Sequence, residues 1–221
     1  MSEAKYLESL KINKKFLQTK DRNQYAANRY EVRDHFNYDK YTYLIHHLIR
    51  NEMKVLDVAC SCGSVVERLI KSGIYNAFGF DNNPAYWDTY DNNRFGNHLF
   101  IDDIINLSHK GEYDIVLMLD ILEHIPSDKE DIVLENIYKL CKNLFVISVG
   151  IDKHIGKYDI SGPEYGGDET HINKRGCGYW EEKIQKDKHF ILVENYTKFF
   201  NNLMGDKTLH NNEYLVFRKV L

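Results

Sequence analysis

Short apolar runs, each ending in small or acidic residues, recur along this chain at intervals that leave room for a helix between them. The first, Val55-Leu56-Asp57-Val58, runs into the small residues Ala59, Cys60, Ser61, Cys62 and Gly63, and a helical stretch from Ser64 to Lys71 follows. Residues 77–80 form a second run that stops at Asp81-Asn82-Asn83-Pro84, and residues 99–101 a third that stops at Asp102-Asp103. Residues 113–120 predict a fourth strand and residues 143–149 a fifth. Between those two, Ile132, Ile137, Leu140 and Cys141 mark a helix. A helix over residues 179–188, a strand over 190–199 and a last strand over 214–220 complete the pattern. The alternation predicts an α/β fold of Rossmann-like type, its sheet mostly parallel with helices on both faces.

Residues 1–36 are charged and aromatic without strand alternation, and they read as a helical extension preceding a core of residues 37–221. Residues 38–50 continue helically, with Tyr43, Leu44, His47 and Leu48 at packing spacing. No Pro/Gly/Ser linker or repeat separates a second domain. The long irregular segment, residues 150–178, holds seven of the 13 glycines. A segment of that length in a compact domain reads as a lid, and its place after the fifth strand sets it beside the strand ends where open α/β sheets bind ligands.

Composition narrows the classes. A chain of 221 residues suits one α/β domain, and a formal net charge of −4 disfavours a protein that wraps nucleic acid. Lys11, Lys14, Lys15, Lys20 and Arg22 form a local basic group that reads as a solvated helix face. No apolar run has membrane-spanning length and the polar N-terminus lacks a signal-peptide core, so no membrane insertion and a cytoplasmic location are expected. The four cysteines make no disulfide framework, and Cys60-x-Cys62 has no partner pair at zinc spacing, so no metal is expected. A Gly-x-Gly-x-x-Gly turn is missing after the first strand, which counts against a dinucleotide-dependent dehydrogenase.

The strand–turn–helix at residues 55–71 sets backbone N–H groups and a helix N-terminus against a ligand. It resembles the first motif of the class I S-adenosylmethionine-dependent methyltransferases, hydrophobic-hydrophobic-Asp-x-Gly-Cys-Gly-x-Gly. Ala59 and Ser61 replace two of its glycines and Gly63 keeps the third. Residues 113–126 look like the same family's Asp-Val-Leu-Glu-His-Ile segment, and Thr170-His171-Ile172-Asn173 like a stretch that follows its fifth strand. The resemblance covers roughly residues 37 to 221. It implies an antiparallel C-terminal hairpin, for which the polar residues 201–212 are a suitable connection, and it implies S-adenosyl-L-methionine as cofactor.

Residue roles follow from the resemblance. Asp57 organises the turn or reaches the methionine ammonium, while Gly63 and the backbone of Ala59 and Cys60 lie under the methionine. Asp81 accepts both ribose hydroxyls, as an acid at a second strand's end is placed to do. Asn82 helps shape the adenine pocket. Asp103, four residues before Leu107, accepts the adenine amino group, with Asp102 the neighbouring alternative. Asp120 closes the fourth strand beside the cofactor. Glu123, His124 and His171 stand on the acceptor side, where an imidazole can take the proton of an attacking hydroxyl. A turn cap at Glu123-His124 and a structural pin at His171 are the competing readings. Trp87, Tyr165, Tyr179 and Trp180 either line an acceptor pocket or pack the core.

The expected reaction is methyl transfer to a small polar acceptor, an oxygen of a small molecule or of a sugar or glycan precursor. Asp120-Ile121-Leu122-Glu123 stands where amine methyltransferases of adenine and cytosine carry Asn/Asp-Pro-Pro-Tyr, and no Pro-Cys pair follows. The alternative is a cofactor-binding partner or regulatory subunit without catalysis.

Overall fold

The computed structural model describes residues 47–50, 52–83, 96–150, 171–173, 175–186, 188–204 and 212–220. The expected extension over residues 1–36, the basic group within it and most of the expected lid lie outside them.

Seven strands form one sheet in the order β3-β2-β1-β4-β5-β7-β6. In chain order these are β1 (Val55–Val58), β2 (Ala77–Asp81), β3 (Leu99–Ile101), β4 (Tyr113–Leu119), β5 (Cys141–Gly150), β6 (Phe190–Leu192) and β7 (Asn212–Lys219). The first five run parallel, with Asp57 opposite Gly79 and Leu117, while β7 pairs antiparallel with both β5 and β6. Among the described residues four α-helices accompany them: α1 (Ser64–Lys71), α2 (Glu130–Leu140), α3 (Cys177–Lys186) and α4 (Glu194–Met204).

The central strands are apolar at nearly every position because both faces are covered. Leu56, Val58, Val116, Met118, Phe145, Ile147, Leu215 and Phe217 point to one face, where Val133 and Ile137 of α2 and Trp180 and Ile184 of α3 pack. Val55, Ile115, Leu117, Leu144, Val146 and Val216 point to the other, against Val65, Val66 and Leu69 of α1 and Phe200 of α4. The facing direction reverses at each residue, as strand geometry requires.

Three sequence expectations need correction. The strand expected over 190–199 stops at Leu192, and α4 follows it at once. Thr197, Phe200 and Asn201 share one face of α4 at helical spacing, and Asn201 clasps β7 by accepting from the Tyr214 N–H at 2.8 Å and donating to its carbonyl at 3.1 Å. The last two strands do lie antiparallel, but the polar residue at 201 belongs to a helix docked on the sheet. Cys141 begins β5 and Ile132 faces solvent, so the α2 stripe consists of Val133, Ile137 and Leu140. The irregular segment ends earlier than expected, since Cys177 and Gly178 already belong to α3.

Candidate active site

Parallel strands deliver their C-terminal ends to one edge of the sheet. At the switch between β1 and β4, where the chain winds in opposite directions, the following loops part and leave a crevice. Most of the described residues singled out in the sequence stand at or just after the C-terminal ends of these strands.

The loop after β1 keeps a glycine-like shape without the glycines. Ala59 and Ser61 hold φ of 54° and 53°, and Gly63 holds 76°. Left-handed backbone costs a residue with a Cβ about 1–2 kcal/mol. The surroundings impose it: the Cys60 N–H donates to the Phe80 carbonyl at 2.9 Å and the Gly63 N–H to the Cys60 carbonyl at 2.9 Å. A Cβ on Gly63 would stand 2.7 Å from Leu99 Cδ1, and one on Gly79 would stand 2.8 Å from Cys60 Sγ. Burial, then Asp57 and Asp81, push the Cys60 thiol well above its ordinary range, so it packs as a protonated thiol.

Asp81 ties this loop to the end of β2. Its Oδ2 accepts from the Ser61 N–H and its Oδ1 from the Asn83 N–H, both at 2.9 Å. The Asn82 amide acts on the carboxylate as well, so three backbone donors leave it room for one more. Burial raises the Asp81 carboxyl above its usual range against the pull of these amides. Asp57, behind the loop, is pushed up to about 8 by burial and by the charge of Asp81. Asn82 follows at the surface.

Asp102 and Asp103 part at the end of β3. Asp102 is buried and accepts from the Asp103, Ser108 and His109 amides and the Ser108 hydroxyl, at 2.8 to 3.1 Å. Burial works to raise its pKa, but these bonds outweigh it and hold the carboxyl below its usual range. All four of its lone-pair positions are thereby occupied, which fits a turn organiser. Asp103 is half-buried, with the Ile105 N–H on Oδ1 and Asn106 Nδ2 on Oδ2, and it retains accepting capacity.

The other wall comes from β4 and β5. Asp120 has left-handed backbone, φ 56°, fixed by its N–H to the Ser148 carbonyl at 3.2 Å and by the Ser148 hydroxyl on Oδ1 at 2.7 Å. A strained non-glycine residue at a strand end commonly marks a functional site. A 3-10 turn, Leu122–His124, follows and buries Glu123. The Asn173 N–H donates to the Glu123 carbonyl at 2.9 Å, which brings residues 171–173 onto this turn. The rings of His124 and His171 lie 4.8 Å apart at 73°. Donor atoms of Glu123, His124 and His171 all lie within 4.8 Å of one another.

Sequence reasoning missed what supports this wall. Glu130, at the start of α2 and buried, accepts from Asn173 Nδ2 at 2.8 Å, the Tyr179 hydroxyl at 2.5 Å and Lys183 Nζ at 3.0 Å. An acid in a first helical turn ordinarily faces solvent, so nothing local distinguishes it. Trp180 is fully buried in the core and Tyr179 is held by Glu130, with Arg175 4.7 Å above its ring. Trp180 thus packs the core, while Trp87 and Tyr165 lie outside the described residues.

The crevice suits a cationic ligand with a ribose. Asp57, Asp81 and Glu123 place three buried carboxyls at one sheet edge, and Asp57 is held largely protonated below pH 8 unless positive charge arrives. Ser61 Oγ is buried without a hydrogen-bond partner, and the small residues at 59, 61 and 63 leave the backbone open to close approach. An ammonium, a sulfonium and a hydroxyl pair answer these features.

Comparison with known proteins bears on the fold. Residues 55–143 match the family described as a methyltransferase domain. No curated protein matches the chain. Among solved structures, the magnesium protoporphyrin IX methyltransferase of Synechocystis PCC 6803 with bound SAH is similar at 16% identity and TM-score 0.60, over 97% of this chain and 96% of that one. An S-adenosylmethionine-dependent methyltransferase of Clostridium acetobutylicum ATCC 824 is similar at 15% identity and TM-score 0.56, over 86% and 94%. The [4+2]-cyclase SpnF is similar at 12% identity and TM-score 0.54, over 83% and 81%, so the sheet alone does not dictate the reaction. Among the described residues no helix is long and apolar enough to cross a membrane. Residues 55–143, from β1 through α2 into β5, are thus similar to a methyltransferase domain, and they lie on a sheet of the order β3-β2-β1-β4-β5-β7-β6.

Proposed function

We propose that the protein is a class I S-adenosylmethionine-dependent methyltransferase that transfers the methyl group of S-adenosyl-L-methionine to an oxygen of a small polar acceptor, held between the β1 loop and the Glu123–His124–His171 wall. The observation that carries this reading is the convergence of two imidazoles and a buried carboxyl beside the cofactor crevice. A neutral amine would need only alignment, whereas a hydroxyl needs somewhere to send its proton.

Bound, the cofactor supplies an electrophilic methyl carbon on sulfur, which keeps the bonding electron pair as the acceptor oxygen bonds to carbon. Asp81 accepts from the ribose diol with the capacity that the amides of Ser61, Asn82 and Asn83 leave. Asp57 loses its proton as the ammonium approaches, and the amides of residues 59–63 face the methionine end. Asp103, with capacity left, takes the adenine amino group, while Asp102 sets the turn. His124 or His171 receives the acceptor's proton, and buried Glu123 favours the resulting imidazolium. Alignment of nucleophile and methyl supplies roughly 7–11 kcal/mol of the barrier reduction. A base contributes a further factor of about 10²–10⁴.

The strained Ala59 and Ser61 favour a second reading, a domain that binds cofactor without turning it over. Titration calorimetry with S-adenosylhomocysteine, followed by a methyl-release assay on hydroxylated, aminated and thiol acceptors, separates the two. Turnover on hydroxyl acceptors supports oxygen transfer. Binding without turnover on any class supports the second reading.

A further inference from the structure

We infer that Glu130 is a positioning residue that acts through Asn173 to fix where His171 stands against His124, and thereby sets turnover. The inference rests on the reading above that His171 belongs to the acceptor wall. Ahead of α3, the chain at residues 171–173 and 175 has little hold on the core. Its one apolar side chain among the described residues, Ile172, is 57% exposed, and Arg175 is exposed as well. Polar contacts hold it instead.

Two of them meet at Asn173. Its N–H donates to the Glu123 carbonyl at 2.9 Å and its Nδ2 to Glu130 Oε1 at 2.8 Å. One bond lets a peptide pivot, whereas two bonds to different partners fix both its place and its direction. Arg175 leads to the same carboxylate, because its guanidinium stands 4.7 Å above the Tyr179 ring, whose hydroxyl donates to Glu130 Oε2 at 2.5 Å. Asn173 is 2% exposed and its Oδ1 is buried without a hydrogen-bond partner. Among the described residues, Glu130 alone satisfies its side-chain amide.

The anchor, by contrast, is set by the core. Glu130 opens α2, whose Val133 and Ile137 are buried with Trp180 and Ile184 of α3 against the sheet. Lys183 of α3 reaches the carboxylate at 3.0 Å. Removing the carboxylate leaves α2 and α3 seated on their apolar contacts but strands a buried amide, which costs more than the lost bond itself. The amide is satisfied again when residues 171–173 move toward water. His171, two residues from Asn173, then leaves its place 4.8 Å from the His124 ring. A displacement of about 1 Å can slow a reaction about 10²-fold. Glu130 needs no contact with the acceptor to have this effect.

The test compares Glu130→Ala, Asn173→Asp and the double variant that combines Glu130→Gln with Asn173→Asp. The first removes the clasp, and the second sets two carboxylates face to face. The double variant restores the clasp with donor and acceptor exchanged. The nuclear Overhauser contact between the His124 and His171 rings is read without any acceptor, and it should be present in the wild type and the double variant and lost in both single variants. On a hydroxyl acceptor, kcat should fall about 10–100-fold in the single variants, more than KM changes, and recover to within about fivefold in the double variant. Unchanged S-adenosylhomocysteine affinity in all of them reports an intact fold and cofactor pocket. Single variants that keep the ring contact and wild-type kcat, or a double variant no better than they are, would overturn the assignment. The same pattern of contact and kcat on amine acceptors alone would sink the oxygen-transfer reading and leave Glu130 in this role.

Discussion

The two walls of the crevice are built differently. The proposed adenosine side is local: Asp81, Asp102 and Asp103 sit at strand ends, and most of their hydrogen bonds go to amides within seven residues. The acceptor side is assembled from distant parts, with Glu123, Glu130, His171 and Asn173 meeting only in the folded chain. A wall made of turns is set by its own sequence, whereas one made of clasps depends on each clasp. Cofactor affinity should therefore resist changes on the acceptor side, and turnover should not.

The largest effect expected from breaking that division is on turnover. His124→Ala and His171→Ala should lower kcat on a hydroxyl acceptor by about 10²–10⁴-fold, as for loss of a proton acceptor. Steady-state kinetics on the variants checks this. On the adenosine side, Gly63→Ala combines left-handed backbone with a contact on Leu99. It should destabilise by about 2–4 kcal/mol, read from urea midpoints. Asp81→Ala removes an acceptor of two charge-assisted bonds, each worth about 1.5–3 kcal/mol before water compensates. Calorimetry should show S-adenosylhomocysteine binding at least tenfold weaker, with the fold intact.

Smaller effects sharpen the contrast. Ala59→Gly and Ser61→Gly should each stabilise the free protein by about 0.5–1 kcal/mol, because relief of left-handed strain exceeds the extra entropy of glycine in the unfolded chain. Thermal or urea unfolding reads it, and a loss of stability would mean that these side chains contribute contacts worth more than the strain.

Asp57 adds a pH dependence. Its folded value of about 8 lies above its unfolded value, so the unfolded chain releases the proton first. The free protein should lose stability from this group as pH rises from about 4 to 8, then level off. A cationic ligand reverses the preference, so S-adenosylmethionine should bind more tightly as pH rises toward 8, with proton release. Stability and affinity measured across pH 5–9 would show the two trends opposed.

The difference between the walls also decides what the sequence revealed. The β1 turn, Asp81 and the Asp102-Asp103 pair are legible because small or acidic residues at the ends of apolar runs need no tertiary partner to be noticed. That Asp102 organises a turn is not legible, since only geometry distinguishes two adjacent aspartates. Glu130 and Asn173 escaped because a helix-start acid and a loop amide have ordinary local meanings. Residues 190–199 misled because Phe190, Ile191, Leu192 and Val193 suit a strand, while the helical spacing of Thr197, Phe200 and Asn201 begins only after them.

The most direct test of a cofactor side and a separate acceptor side is His171→Ala, measured for both S-adenosylhomocysteine Kd and kcat on a hydroxyl acceptor. The account predicts an unchanged Kd with kcat reduced at least a hundredfold, the lower end of what such a group supplies. Wild-type turnover, or a loss of cofactor affinity equal to the loss of turnover, would contradict it.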